Sequence, residues 1–114
     1  LILYNILEGD KMKYVMIEVA FNNKEEVNLT EEKLLKEKLV ASLQVLTSDS
    51  IWNYNGELES DKEYLVFMKT KESLINEVYK VIKEIHSYEV FEFAVFPLTS
   101  PSNDYLKWLE EETK

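Results

Sequence analysis

Cysteine and arginine are both missing from this 114-residue chain, and each absence removes a class of function. Without thiols there is no disulfide framework, no thiolate nucleophile and no cysteine-held iron–sulfur cluster. Without arginine there is no planar guanidinium fork, the group on which phosphate, DNA and RNA sites lean; all 13 basic side chains are lysines. Positive charge is also outnumbered, since 22 acidic residues leave a formal net charge of -9. Nucleic acid and anionic membrane surfaces are therefore not expected partners. Long hydrophobic runs are lacking too. The opening Leu1-Ile2-Leu3-Tyr4-Asn5-Ile6-Leu7 is apolar, but it has no basic region before it and is far shorter than the roughly 20 helical residues that span a bilayer. The default expectation is a cytoplasmic protein.

What is present fits one domain. The apolar fraction of 46% suits a soluble core, and at this size oligomerisation would add meaningfully to stability. The first clear element begins near Met12, so the expected division is a single domain over 12–114 with residues 1–11 as an N-terminal extension or non-native remnant.

The apolar period changes along the chain. From Lys13 to Phe21 it is two, with Val15, Ile17, Val19 and Phe21 on one side and Tyr14, Met16, Glu18 and Ala20 on the other, which predicts a strand. Thr30 offers a hydroxyl cap followed by Glu31 and Glu32, and predicts a helix carrying Leu34, Leu35 and Leu39 and ending near Ala41. Leu43 to Tyr54 reads as a strand interrupted at Thr47–Ser50. Asn55-Gly56 supplies a tight turn, and Glu57 to Lys69 returns as its partner. Thr70 or Ser73 is placed to cap a second helix with Leu74, Val78, Ile82 and Ile85 on one stripe. Val90 to Pro97 is a fourth strand and Asp104 to Glu112 a last helix. The order β-α-β-β-α-β with an added helix is an α+β, ferredoxin-like arrangement: an antiparallel sheet with helices on one face. Because the strands are apolar on both sides, the uncovered face calls for burial against other subunits.

Three constellations bear on chemistry. His86 with Tyr88, Glu89 and Glu92 can ligate a divalent metal or serve as an acid–base group; equally, His86 can cap a helix C-terminus. Glu57, Glu59, Asp61 and Glu63 recur by two, which aligns four carboxylates on one strand face, either as a weak hard-cation site or as the solvated side of a projecting hairpin. Trp52, Tyr54, Tyr88, Tyr105 and Trp108 are aromatics of the kind that stack on ligands and populate subunit interfaces.

The skeleton Ser50, Gly56, Lys69-Thr70, His86, Tyr88, Glu89, Glu92, Asn103, Tyr105, Leu106 and Trp108 resembles the CutA family, small trimeric proteins of divalent-cation tolerance, over roughly Ser42 to Trp108. The chain departs from the family pattern in having Ser42 for the usual cysteine, Trp52 and Tyr54 exchanged, Ser87 and Phe91 for the two prolines of the turn, and Ser102 for the tail glycine. Loss of the cysteine removes the soft ligand best suited to Cu(I). The resemblance implies a homotrimer with sheets packed inward, helices outward and hairpins reaching across to neighbours. It also implies a PII-like architecture with lateral clefts between subunits, and Trp52, Tyr54, Lys69, Tyr88, Asn103, Tyr105 and Trp108 as cleft or interface residues.

The expected function is therefore a non-enzymatic, cytoplasmic CutA-like trimer of the response to divalent cations. Its expected partners are itself and a divalent metal, Cu²⁺ foremost, through His86, Glu89 and Glu92; no cofactor is certain. The alternative is a PII-like signalling or adaptor trimer that binds a small organic ligand in its clefts. A phosphate-handling enzyme of the acylphosphatase type lacks its arginine, and an RNA-recognition domain lacks basic aromatic strands.

Overall fold

The computed structural model describes residues 13–114; the expected extension over 1–11 lies outside them. The elements are β1 (Tyr14–Phe21), α1 (Lys24–Lys36), β2 (Ser42–Tyr54), β3 (Glu57–Lys71), α2 (Ile75–Ile85), β4 (Phe93–Pro97) and α3 (Asn103–Glu112), with a single 3₁₀ turn at Glu72–Leu74 before α2. The four strands form one sheet in the order β2-β3-β1-β4, every neighbour antiparallel. This is the expected ferredoxin-like order.

Alternation decides what each strand buries. Val15, Ile17, Val19 and Phe21 are fully buried and pack with Val66 and Met68 beneath Val27, Leu34, Val78 and Ile82 of the two long helices. The opposite face carries Met16, Glu18 and Ala20 of β1, then Glu63, Leu65, Phe67 and Lys69 of β3, and Ala94 and Phe96 of β4, because the register pairs Glu18 with Phe67 and Ala94, and Ala20 with Leu65.

Several local expectations are corrected. Helix α1 starts six residues before Thr30: Asn23 Oδ1 accepts the Glu25 and Glu26 amides at 2.9 and 3.2 Å and so caps it. Thr30 is instead buried mid-helix, and its hydroxyl has no hydrogen-bond partner among the described residues. The helix stops at Lys36 rather than near Ala41, where Lys38 takes φ 55. Strand β2 runs without interruption through Thr47–Ser50, since each of these residues pairs with β3. Thr70 caps nothing; it pairs with Val15 inside the sheet, its hydroxyl donating to the Leu39 carbonyl at 2.6 Å. The fourth strand begins at Phe93, not Val90. The Asn55-Gly56 turn is as expected, with φ 51 and 80, the paired positive values that a two-residue hairpin of this twist requires.

Strand β1 pairs with β3 only from Tyr64 onward. Glu57–Glu63 therefore pairs with β2 alone and projects as a two-stranded arm roughly 20 Å beyond the sheet. At the opposite end α3 is clamped by Glu110, whose carboxylate accepts from the Tyr14 hydroxyl at 2.8 Å and pairs with Lys71 at 3.0 Å and Lys13 at 3.5 Å. The Tyr14 hydrogen bond, with the lysines behind it, holds the Glu110 carboxyl down to about 2. A lowered carboxyl stabilises the fold above its ordinary value of 4.5 and loses that contribution as pH falls towards 2. Acidification through that window should release α3, and Glu110→Gln should release it at neutral pH. Trp108 fluorescence, which lies on α3, reads this; an acid profile identical in Glu110→Gln and wild type contradicts it.

Candidate functional site

His86 ends α2 and closes it, its amide donating to the Ile82 carbonyl at 2.8 Å. Its ring turns inward, between Phe21 and Phe91, stacked on each at 4.5 Å between centroids. Nε2 lies 2.7 Å from the Ala20 carbonyl, and Nδ1 accepts the Tyr88 amide at 3.1 Å. Those partners fix the neutral tautomer with the proton on Nε2. Both nitrogens are thus engaged inside the protein, and the side chain has no exposed surface. Glu26 reaches the same turn, accepting from the Ser87 amide at 3.0 Å. Phe91, at one of the positions where the family pattern has proline, anchors the turn by stacking rather than by a fixed φ, and Tyr79 packs on it and edge-on to Phe93.

The expected metal set does not converge. His86 faces the core, and Glu89 is exposed, with its backbone carbonyl held by Lys83 Nζ at 3.2 Å. Glu92 goes elsewhere, to Glu18 on the open face of the sheet. Among the described residues no three His, Asp or Glu side chains are gathered as a metal cluster. As it stands, the imidazole offers a metal no lone pair, while the carboxylates do.

The carboxylates line a groove of about 910 Å³ between the arm and the turn that follows His86. Its floor is Glu18, Ala20, Glu63 and Leu65; one wall is Ser48 to Trp52 with Tyr54, the other Ser87 to Glu92. Ser48 and Ser50 hydroxyls lie 3.2 Å apart. A hydrogen bond shared with Glu18, partial desolvation, and the charges of Glu18 and Glu63 together push the Glu92 carboxyl up to about 7. Burial first, then the Glu63 and Asp61 charges, raise the Tyr88 hydroxyl as well.

The aromatic set is divided. Trp52, Tyr54 and Tyr88 share the groove. Tyr105 and Trp108 stack on each other at 6.2 Å on α3, with Asn103 opening that helix, at the other end of β1, about 20 Å away at strand spacing. Lys69 sits between the two groups and donates to the Gln44 side-chain carbonyl. Of the acidic ladder only Glu63 is buried; Glu57, Glu59 and Asp61 are exposed on the arm, and Lys62 pairs with Asp49 across it at 2.6 Å. Glu18 was the residue sequence reasoning passed over. Its signal was a lone carboxylate on an otherwise apolar side of β1.

The sequence profile described as "CutA1 divalent ion tolerance protein" matches residues 15–112. The chain belongs to the CutA1 family. Among its relatives, the divalent-cation tolerance protein CutA of Pyrococcus horikoshii is 34% identical over 88% of this chain and 98% of its own length. The chloroplastic protein CutA of Arabidopsis thaliana is 29% identical over 88% of this chain, which spans 56% of that longer protein. Crystal structures agree: CutA1 from P. horikoshii superposes with a TM-score of 0.81 at 33% identity, covering 88% of this chain and 98% of that one. CutA1 from Oryza sativa gives 0.85 at 28%, covering 90% and 95%. The Tyr88, Glu89 and Glu92 positions of the CutA pattern line the groove here, while its histidine supports the groove from within.

His86→Ala should therefore act on stability, costing about 3 kcal/mol through a vacated stack and two orphaned backbone groups, as urea melts would show. Glu92 adds a pH dependence of opposite sense to that of Glu110. A carboxyl raised in the fold favours the native state while protonated, so stability should fall between pH 4.5 and 7 and level off above. Melts of Glu92→Gln should lack that decline; an unchanged decline contradicts the raised Glu92 carboxyl.

Proposed function

We propose that this CutA1-family chain works as a non-enzymatic homotrimer in the response to divalent cations. The observation that carries the reading is the uncovered sheet face with its arm. Leu46, Ile51, Leu58 and Phe96 are 42–70% exposed in the single chain, and both sheet edges, β2 and β4, have no strand beyond them among the described residues. An edge at each side invites head-to-tail joining of copies, which closes when the rotation matches the copy number. Three is the number the family resemblance brings.

Divalent ions, copper included, would meet Glu92 and Glu89 at the groove mouth. The buried His86 ring joins them only by giving up Ala20, so we read its role as holding the turn. The P. horikoshii relative carries cation tolerance in its name, which supports the cation reading without naming a ligand residue here. We place the protein in the cytoplasm by default; the Arabidopsis relative is named as chloroplastic, and no helix among the described residues is long and apolar enough to cross a membrane. A second reading, a PII-like sensor of a small organic ligand, is favoured by one feature: the groove combines aromatic walls with carboxylates.

Sedimentation equilibrium at micromolar concentration should return three times the chain mass, and calorimetric titration with Cu²⁺ should show weakened binding in Glu92→Gln. A stable single copy overturns the assembly reading; copper affinity identical in Glu92→Gln and wild type overturns the cation contact.

A further inference from the structure

His86 is a titratable group sealed inside the chain with both ring nitrogens committed. Nε2 donates to the Ala20 carbonyl at 2.7 Å, and Nδ1 accepts the Tyr88 amide at 3.1 Å. The second of these bonds exists only while Nδ1 keeps its lone pair. A second proton there would set one N–H against another at that distance, and the Tyr88 amide would lose its acceptor. Imidazole is the side chain that gains such a proton near neutral pH.

The groups around the ring decide what that proton would meet. From α1 comes Glu26, whose Oε1 lies 4.0 Å from Nδ1 and already accepts the Ser87 amide at 3.0 Å. An approach of about 1 Å would make this a charge-assisted bond, and a carboxylate has lone pairs enough to keep Ser87 as well. Lys24 of the same helix is turned to the Tyr64 ring. From α2 comes Lys83, whose Nζ lies 5.7 Å from the Phe91 centroid and holds the Glu89 carbonyl; its charge opposes protonation of the ring. Strand β1 supplies the Phe21 ring and the Ala20 carbonyl, and its Glu18 lies on the other face of the sheet. From the turn, Tyr88 tilts against the imidazole at 5.2 Å, its hydroxyl raised by burial and by acidic neighbours and so neutral. Glu89 is exposed and Glu92 turns to Glu18. The faces of Phe21 and Phe91, stacked on the ring, attract a cation. A charged imidazole thus has a carboxylate, a carbonyl and two aromatic faces waiting for it, at the expense of one bond to the turn.

We infer that His86 is a proton-operated catch on the turn from Ser87 to Glu92: with Nδ1 free it fastens the Tyr88 amide, and with Nδ1 protonated it turns to Glu26 and lets that amide go. Ser87 stays tied to Glu26, so the release begins at Tyr88. The freed segment is one wall of the groove, whereas His86 is not among the residues that line it. Acidity would therefore act on that wall from inside the chain. The inference goes beyond the assembly and cation readings and needs neither.

NMR on the full chain carrying Glu92→Gln tests it, since that substitution removes the other group of the turn that titrates near neutral pH. Imidazole nitrogen shifts and amide exchange, expressed as protection relative to the free peptide at each pH, are followed from about pH 8 to about pH 5. Both ring nitrogens should become protonated as pH falls, and the Tyr88 amide should lose protection at least tenfold with the same midpoint. The Ser87 amide and the amides of β1 should keep theirs. Glu26→Gln, which can still accept from Ser87 but carries no charge, should move the midpoint to lower pH. Constant Tyr88 protection while the ring titrates, a ring that stays neutral throughout, an unmoved midpoint in Glu26→Gln, or loss of β1 protection together with that of Tyr88 overturns the inference. Sedimentation of the same samples reports the copy number separately, so neither result stands in for the other.

Discussion

A four-stranded sheet that buries one face under two helices and leaves the other largely apolar is the constraint from which the remaining features follow. On the helix side the alternation of β1 is complete, with Val15, Ile17, Val19 and Phe21 all fully buried. On the other side the same alternation sets Met16, Leu65, Phe67 and Phe96 in a surface the chain's own helices do not cover. Apolar area of that kind is stabilising only when something dries it. The arm has the same requirement. A two-stranded ribbon is marginal by itself in water, and this one carries Ile51, Tyr54 and Leu58 at 60–70% exposure. Sheet face, open edges and arm thus share a single remedy, which is other copies of the chain.

Set into that apolar face are Glu18, Glu63 and Glu92. Their placement explains why the groove has an electrostatic character that the net charge alone does not convey. Solvated carboxylates on the arm cost little, whereas Glu92, set against Glu18 and partly desolvated, has its carboxyl pushed up to about 7. His86 has the reverse history. It is the most conspicuous titratable residue of the sequence, and the fold spends it on architecture: stacked between two phenyl rings, it joins the end of β1 to the turn that forms one groove wall.

The fold was legible because its signals are local and repeated. Period-two alternation in β1, the Asn55-Gly56 turn and the stripe of α2 each specify an element without help from the rest. Caps were less legible. Thr30 and Asn23 are both competent, and the choice went to Asn23 because α1 must start early enough to place Val27 over the sheet, which no local preference reveals. Thr47–Ser50 looked like an interruption because polar residues lower strand propensity, yet ladder pairing with β3 overrides it. Less of the candidate site was legible: of the cleft residues the resemblance implies, Trp52, Tyr54 and Tyr88 line one groove, together with Glu89 and Glu92 of the expected metal set, whereas Asn103, Tyr105 and Trp108 lie on α3. What sequence spacing could not convey is side-chain direction. His86, Glu89 and Glu92 are neighbours in the chain, but a helix end, a turn and a strand start send them into core, solvent and sheet face respectively.

Native-state hydrogen exchange along the arm tests the central claim most directly. Amides of Ile51–Tyr54 and Leu58–Asp61 should exchange slowly at micromolar concentration, with protection approaching that of β1, and should lose that protection on dilution while β1 keeps its own. Fast, concentration-independent exchange throughout the arm would show a free ribbon and an open sheet face, and would contradict the account.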